Sequence, residues 1–171
     1  MKRILTVFKN IGIVILAMLF GNIIMMGLLQ LSHTLFGGLE GFDPTAPYLE
    51  RLEQVNAYLD AHPAAVYMIF LEHALGAAAG VYLATKLSAP RRKFRQEPAQ
   101  RSNTAPIIVG VLYLVGTITN DMVTVPMAIY WGIIDVVLVA CFCFLAFWLA
   151  GGLKKQSATT SVTSEEETYR G

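Results

Sequence analysis

Glu72 and His73 stand side by side in a stretch that carries no other charge from Pro63 to Thr85. Asp135 stands alone in a second such stretch, from Met127 to Leu149. A histidine beside a carboxyl group can take up or release a proton near neutral pH, and the same side chains belong to the donor types that hold cations. Asn22, Gln30 and His33 lie in a third run, from Ile11 onward, that holds no Asp, Glu, Lys or Arg. On a helix, Asn22, Met26, Gln30 and His33 fall within about 80° of one another, a polar stripe climbing one side. What these groups do depends on the elements that carry them.

Those elements are apolar helices. Of the 171 residues, 55% are hydrophobic and 15% charged, against about 25% charged in an ordinary soluble domain. A helix needs roughly 20 apolar residues to cross a ~30 Å hydrocarbon core. Four segments qualify, at about residues 11–31, 64–85, 106–120 and 127–149. The third is short and either ends at Asn120 or runs on past Asp121 toward Val125. The first is too long for the apolar core of a secretory signal and is followed by no clean cleavage site, so it is expected to be an uncleaved helix. Pro63 suits the first turn of the second span, and Gly151-Gly152 closes the fourth. The expected fold is all-α: an integral membrane four-helix bundle over residues 1–153, followed by a disordered cytoplasmic tail at 154–171, where a Ser/Thr-rich run with Glu165-Glu166-Glu167 lacks the apolar residues to order it.

The loops orient the bundle. Lys2, Arg3 and Lys9 precede the first span. Lys86, Arg91, Arg92, Lys93, Arg95 and Arg101 surround the second connection, and Lys154-Lys155 follow the fourth span. The first connection carries Glu40, Asp43, Glu50, Glu53 and Asp60 against Arg51 alone, and the third has no Lys or Arg. Each segment agrees with cytoplasmic termini and an acidic outer loop. Basic residues at 91–95 serve as topology anchors and could also meet anionic headgroups. Within the outer loop, residues 47–61 read as a short amphipathic helix: Leu49, Leu52, Val55 and Leu59 on one side, Glu50, Glu53, Asn56 and Asp60 on the other. The favoured reading is a connector lying on the membrane surface, with a cap over the bundle mouth as the alternative.

With that threading, Glu72, Asp135 and Asn22 come to similar depths, about 12 Å below the outer boundary at 1.5 Å per residue. An ionisable group at the bilayer centre costs about 2.5 kcal/mol or more, so these side chains are expected to face protein. Gly76 and Gly80 support this, since their GxxxG spacing on the Glu72 side of the helix lets another backbone approach. One reading is a proton- or ion-handling site of Glu72, His73, Asp135 and Asn22, with Gln30 and His33 leading to outer water. The other is interhelical glue, the same groups hydrogen-bonding across the bundle. The sequence leaves both open. No metal is expected from spacing: His33, His73, Glu72 and Asp135 are ligand types, but there is no HxxxH or HExxH. Asn120-Asp121 reads as a helix-end and turn feature. Cys141 and Cys143 point about 200° apart on a helix and form no redox pair. No nucleophile–base set, nucleotide loop or cofactor motif appears, so catalysis on a lipid or quinone is the weaker alternative to a small transporter, channel-like or accessory subunit, or to a plain scaffold. The expected partners are the lipid bilayer and a second copy or membrane partner protein, not nucleic acid.

The stretch Glu72-His73-Ala74-Leu75-Gly76-Ala77-Ala78-Ala79-Gly80, the basic loop after it, and a last span with Trp131, Asp135 and Leu149-Ala150-Gly151-Gly152 resemble a group of small bacterial four-helix membrane proteins of unknown function. The likeness covers the second to fourth spans. It implies a bacterial inner-membrane protein and supplies no activity.

Overall fold

The computed structural model describes residues 2–89 and 102–153. The basic residues at 91–101, Lys154-Lys155 and the Ser/Thr-rich tail lie outside the described residues. Among the described residues there is no strand. The elements are α1 (Lys2–Phe36), α2 (Tyr48–Ala61), α3 (Pro63–Leu87), α4 (Thr104–Thr119) and α5 (Ile129–Leu149), and α4 runs into a wide π-turn at Asn120–Thr124. Four of them, α4 being counted with its π-turn, are long and apolar enough to cross a membrane, compatible with a multi-pass membrane protein. The third span does continue past Asp121, by changing its winding.

α3 is the central helix and packs against α1, α4 and α5. Over their most apolar windows, α3 is 56% buried while the other three are 17–22% buried, so α3 is wrapped by protein and the rest turn apolar surface outward. The interior is made of small residues: Ala17, Ala77, Ala84, Ala105 and Ala146 are buried. The long side chains Leu19, Ile23, Ile107, Ile133 and Phe144 point out. This inverts a water-soluble protein and suits a bilayer, where lipid solvates the large chains and small residues let backbones close in.

The α1–α3 seam shows that closeness. A Cβ added to Gly76 would lie 3.0 Å from the Gly21 carbonyl oxygen, and one on Gly80 would lie 3.1 Å from the Ala17 carbonyl oxygen and 2.8 Å from the Tyr113 ring. Gly21 is tighter still, because a Cβ there would overlap the Tyr113 hydroxyl and the Gly76 carbonyl. α5 ends where Gly151 takes φ 83°. There the Gly152 N–H reaches the Phe147 carbonyl and the Gly151 N–H the Trp148 carbonyl, both at 2.8 Å, so the last orphan carbonyls are used and the chain turns away.

α2 does not lie free on a membrane surface. Val55 and Leu59 are buried in one cluster with Ala65, Val66, Phe70 and Met127, so half of the side expected to meet lipid covers the end of the bundle, while Leu49 of the same side is 74% exposed. The surface-connector expectation is corrected on this point. Arg51 explains the placement: its guanidinium donates to the backbone carbonyls of Val123 and Thr124 and to that of Ala46. The loop before α2 is tied as well. Tyr58 donates to the Gly37 carbonyl at 2.9 Å, and partial burial raises the pKa of its phenol. The Thr45 hydroxyl and amide both donate to Asp43, holding its carboxyl below the usual range. Arg51→Ala should therefore loosen α2 without unfolding the spans. The expected loss is about 1 kcal/mol, since a charge-assisted bond near solvent sits at the low end of its range. Faster amide exchange at residues 48–61, with unchanged exchange in α3, would register it.

Candidate functional site

α3, α5 and the π-turn converge on one group of ionisable side chains. His73 Nδ1 lies 2.5 Å from Asp135 Oδ2, a short hydrogen bond between α3 and α5. Glu72 Oε1 lies 4.0 Å from the other ring nitrogen, Nε2. Asp121 joins from the π-turn: one donor atom from each of His73, Asp121 and Asp135 lie within 4.8 Å of one another. All are out of solvent, with Asp135 0%, Asp121 2%, Glu72 6% and His73 7% exposed. Such burial demands partners, yet Glu72 Oε2, Asp121 Oδ2 and Asp135 Oδ1 have none.

Helical spacing explains how Asp121 gets there: Ala105, Val109, Tyr113, Thr117 and Asp121 recur every four residues and all are buried, so Asp121 continues the inward face of α4 and the winding widens just after it. Here the Val125 N–H reaches back to the Asn120 carbonyl at 2.8 Å, an i→i+5 bond, and the Met127 N–H bonds the Asp121 carbonyl at 3.1 Å. π-turns of this kind add one residue to a turn and re-aim side chains. Opposite stands Gly132 of α5, where an added Cβ would sit 3.6 Å from Asp121 Cβ. Gly132 is one turn before Asp135, so the gap it leaves puts Asp121 on the face of α5 that bears Asp135.

The six residues singled out from sequence fare differently. Glu72, His73 and Asp135 are brought together. Asn22 is on the exposed side of α1, where its Oδ1 lies 3.3 Å from the Tyr113 hydroxyl, which also reaches the Met18 carbonyl at 3.2 Å. Asn22 meets His73 only as a fellow lining residue of a cleft of about 410 Å³, with Tyr113, Thr117, Asn120 and Thr124. Gln30 and His33 are exposed on α1 and do not join the cluster. Asp121 was missed because it was read as turn chemistry. Its signal was the four-residue series Ala105, Val109, Tyr113, Thr117 and Asp121, which puts it on the buried face of α4.

The electrostatics are one-sided. Three carboxyl groups surround one imidazole; Glu72 and Asp135 pair with it, and Asp121 Oδ1 accepts from the Asn120 amide at 3.4 Å. The nearby cation, Arg51, is engaged by backbone carbonyls. Fully charged, the cluster would carry about −2 in a medium of low dielectric, which is untenable without added protons or a bound cation.

Comparison with known proteins finds no match: no family pattern, no curated protein and no solved structure.

Proposed function

We propose that this chain is a multi-pass protein of a bacterial inner membrane, with both termini in the cytoplasm, and that it takes up and releases a cation at the buried cluster of Glu72, His73, Asp121 and Asp135. One observation carries the reading: three carboxyl groups and a histidine converge inside the bundle, and among the described residues they have no lysine or arginine partner. Pure interhelical glue is better served by neutral amides and hydroxyls, which need no counter-charge. The positive-inside pattern supports the orientation, and it puts α2 and the 410 Å³ cleft toward the periplasmic half. Four helices enclose little space, so a second copy or a partner subunit completes the path.

Reconstituted vesicles give the test. With a pH-sensitive dye inside and an imposed cation or proton gradient, wild-type protein should carry flux, and Asp135→Asn and Asp121→Asn should each cut it at least tenfold. Flux indistinguishable between wild type and both variants would sink the reading. Orientation has its own check in a Cys141/Cys143-free background: Glu40→Cys should react with an impermeant thiol reagent in whole cells, and Lys93→Cys only after permeabilisation.

A second reading has one observation in its favour. Asp121 also borders an apolar cleft of about 330 Å³ lined by Ile118, Met122, Met127, Ile133 and Val136, a setting for chemistry on a lipid or quinone headgroup. Labelling of Met122 or Ile133 by a photoreactive quinone, abolished in Asp121→Asn, would favour it.

A further inference from the structure

We infer that His73, Asp121 and Asp135 form a binding site for a divalent transition-metal ion. This rests on the cation-handling reading and names the cation's class.

The donor set comes first. Each of the three residues offers one ligand atom, and these atoms lie within 4.8 Å of one another. One imidazole nitrogen with two carboxylate oxygens suits zinc, manganese or iron, whereas calcium seeks six to eight oxygens and magnesium keeps its waters. The unpartnered atoms are the independent sign of a missing ligand. Asp121 Oδ2 and Asp135 Oδ1 meet no N–H or O–H donor, on side chains that are 2% and 0% exposed, and the two carboxyl groups stand within reach of each other.

Charge selects the valence. With Glu72 protonated, a neutral imidazole, two carboxylates and a divalent ion sum to zero, the one total that a low-dielectric interior tolerates without further compensation. A monovalent ion would leave −1. Glu72 fits outside the ligand set. His73 Nδ1 faces Asp135 and its Nε2 lies 4.0 Å from Glu72 Oε1, so a metal on Nδ1 leaves the Nε2–H on the side of the Glu72 carboxyl group, which a small approach would turn into the hydrogen bond that orients metal-bound histidines.

The geometry also says what must move. Two ligands on a tetrahedral zinc at ~2.05 Å stand about 3.3 Å apart, wider than the 2.5 Å between His73 Nδ1 and Asp135 Oδ2. Binding therefore parts that hydrogen bond, or Asp135 turns its free Oδ1 to the ion. His73 also borders the cleft shared by Asn22, Met25, Leu112, Tyr113, Thr117 and Asn120, a mixed apolar and polar approach to the site.

The test uses the full chain, stripped of metal, in detergent micelles. Titration with cobalt(II) should produce visible d–d bands saturating at one ion per chain and erased by zinc(II). Asp121→Asn, Asp135→Asn and His73→Gln should each weaken cobalt binding at least tenfold, and Glu72→Gln should weaken it less. Because the variants could misfold, zinc should also raise the melting temperature of the wild-type protein, read by circular dichroism. Absence of bands and of any zinc-dependent shift would overturn the metal site, as would cobalt binding unchanged in Asp121→Asn. If binding fails while Asp135→Asn still abolishes proton flux in vesicles, the cation is a proton and the parent reading stands. If both fail, neither stands.

Discussion

Asp135→Leu should destabilise the bundle by about 3 kcal/mol, and adding His73→Leu should return most of that loss. The single substitution leaves His73 Nδ1 buried without its partner, and breaking a buried charged pair costs about 3–5 kcal/mol. An ordinary interhelical hydrogen bond in a membrane averages only about 0.6 kcal/mol. The 2.5 Å separation and complete burial of Asp135 place this pair well above that average. Replacing both members with leucine removes the mismatch, which is why such doubles are often near neutral. Reversible unfolding in mixed micelles, followed by Trp131 and Trp148 fluorescence, would give both numbers. The double variant also separates the two sequence-level readings: glue predicts a folded and working protein, whereas a cation site predicts a folded and inactive one. A single substitution costing under 1 kcal/mol would count against the pair as a structural element.

Gly21→Val should detach α1 from the bundle. Any Cβ at this position runs into the Gly76 carbonyl and the Tyr113 hydroxyl, one of them backbone, so a side-chain rotation cannot relieve it. Even Gly21→Ala should cost about 1–3 kcal/mol, the usual penalty of overpacking, and valine more. The control is Gly27, which has nothing within 4 Å of an added Cβ. Gly27→Ala should be neutral or stabilise by up to about 1 kcal/mol through helix propensity. The same unfolding measurement would check both, and equal behaviour of the two alanine variants would contradict the α1–α3 packing.

Much of this architecture could be read from the chain before any coordinates. Uncharged runs located the apolar helices, since length and hydrophobicity alone decide which segments are able to cross a membrane. The Glu72-His73 pair and Asp135 stood out because each breaks an otherwise uncharged apolar run. What escaped depended on contacts between distant segments. Asp121 sits one turn past Thr117 on the buried face of α4, but the packing of α5 against that face is what brings Asp135 to it. Gly21 looks like any other glycine in an apolar helix until Gly76 is laid against it. A trace was present, though: Ile13, Ala17 and Gly21 recur every four residues, all are buried, and they are the face α1 presents to the bundle. That same face explains the misplaced stripe. Once Ala17 and Gly21 turn inward, Asn22, Gln30 and His33 cannot follow, and only Asn22 keeps a partner on a neighbouring helix.

The wide turn at Asn120–Thr124 holds one residue of slack. If it tightened to ordinary α winding, the chain on one side would slip by a single step relative to the other, about 100° of rotation and 1.5 Å of travel. Asp121, in step with Tyr113 and Thr117, would keep its place, while the Val123 and Thr124 carbonyls would turn away from Arg51. The cap formed by α2 could thus be released by a phase slip in one strut, without the bundle parting. The Val125 amide, which closes the turn, would betray such a slip by exchanging with solvent faster than the amides of Tyr113 or Thr117.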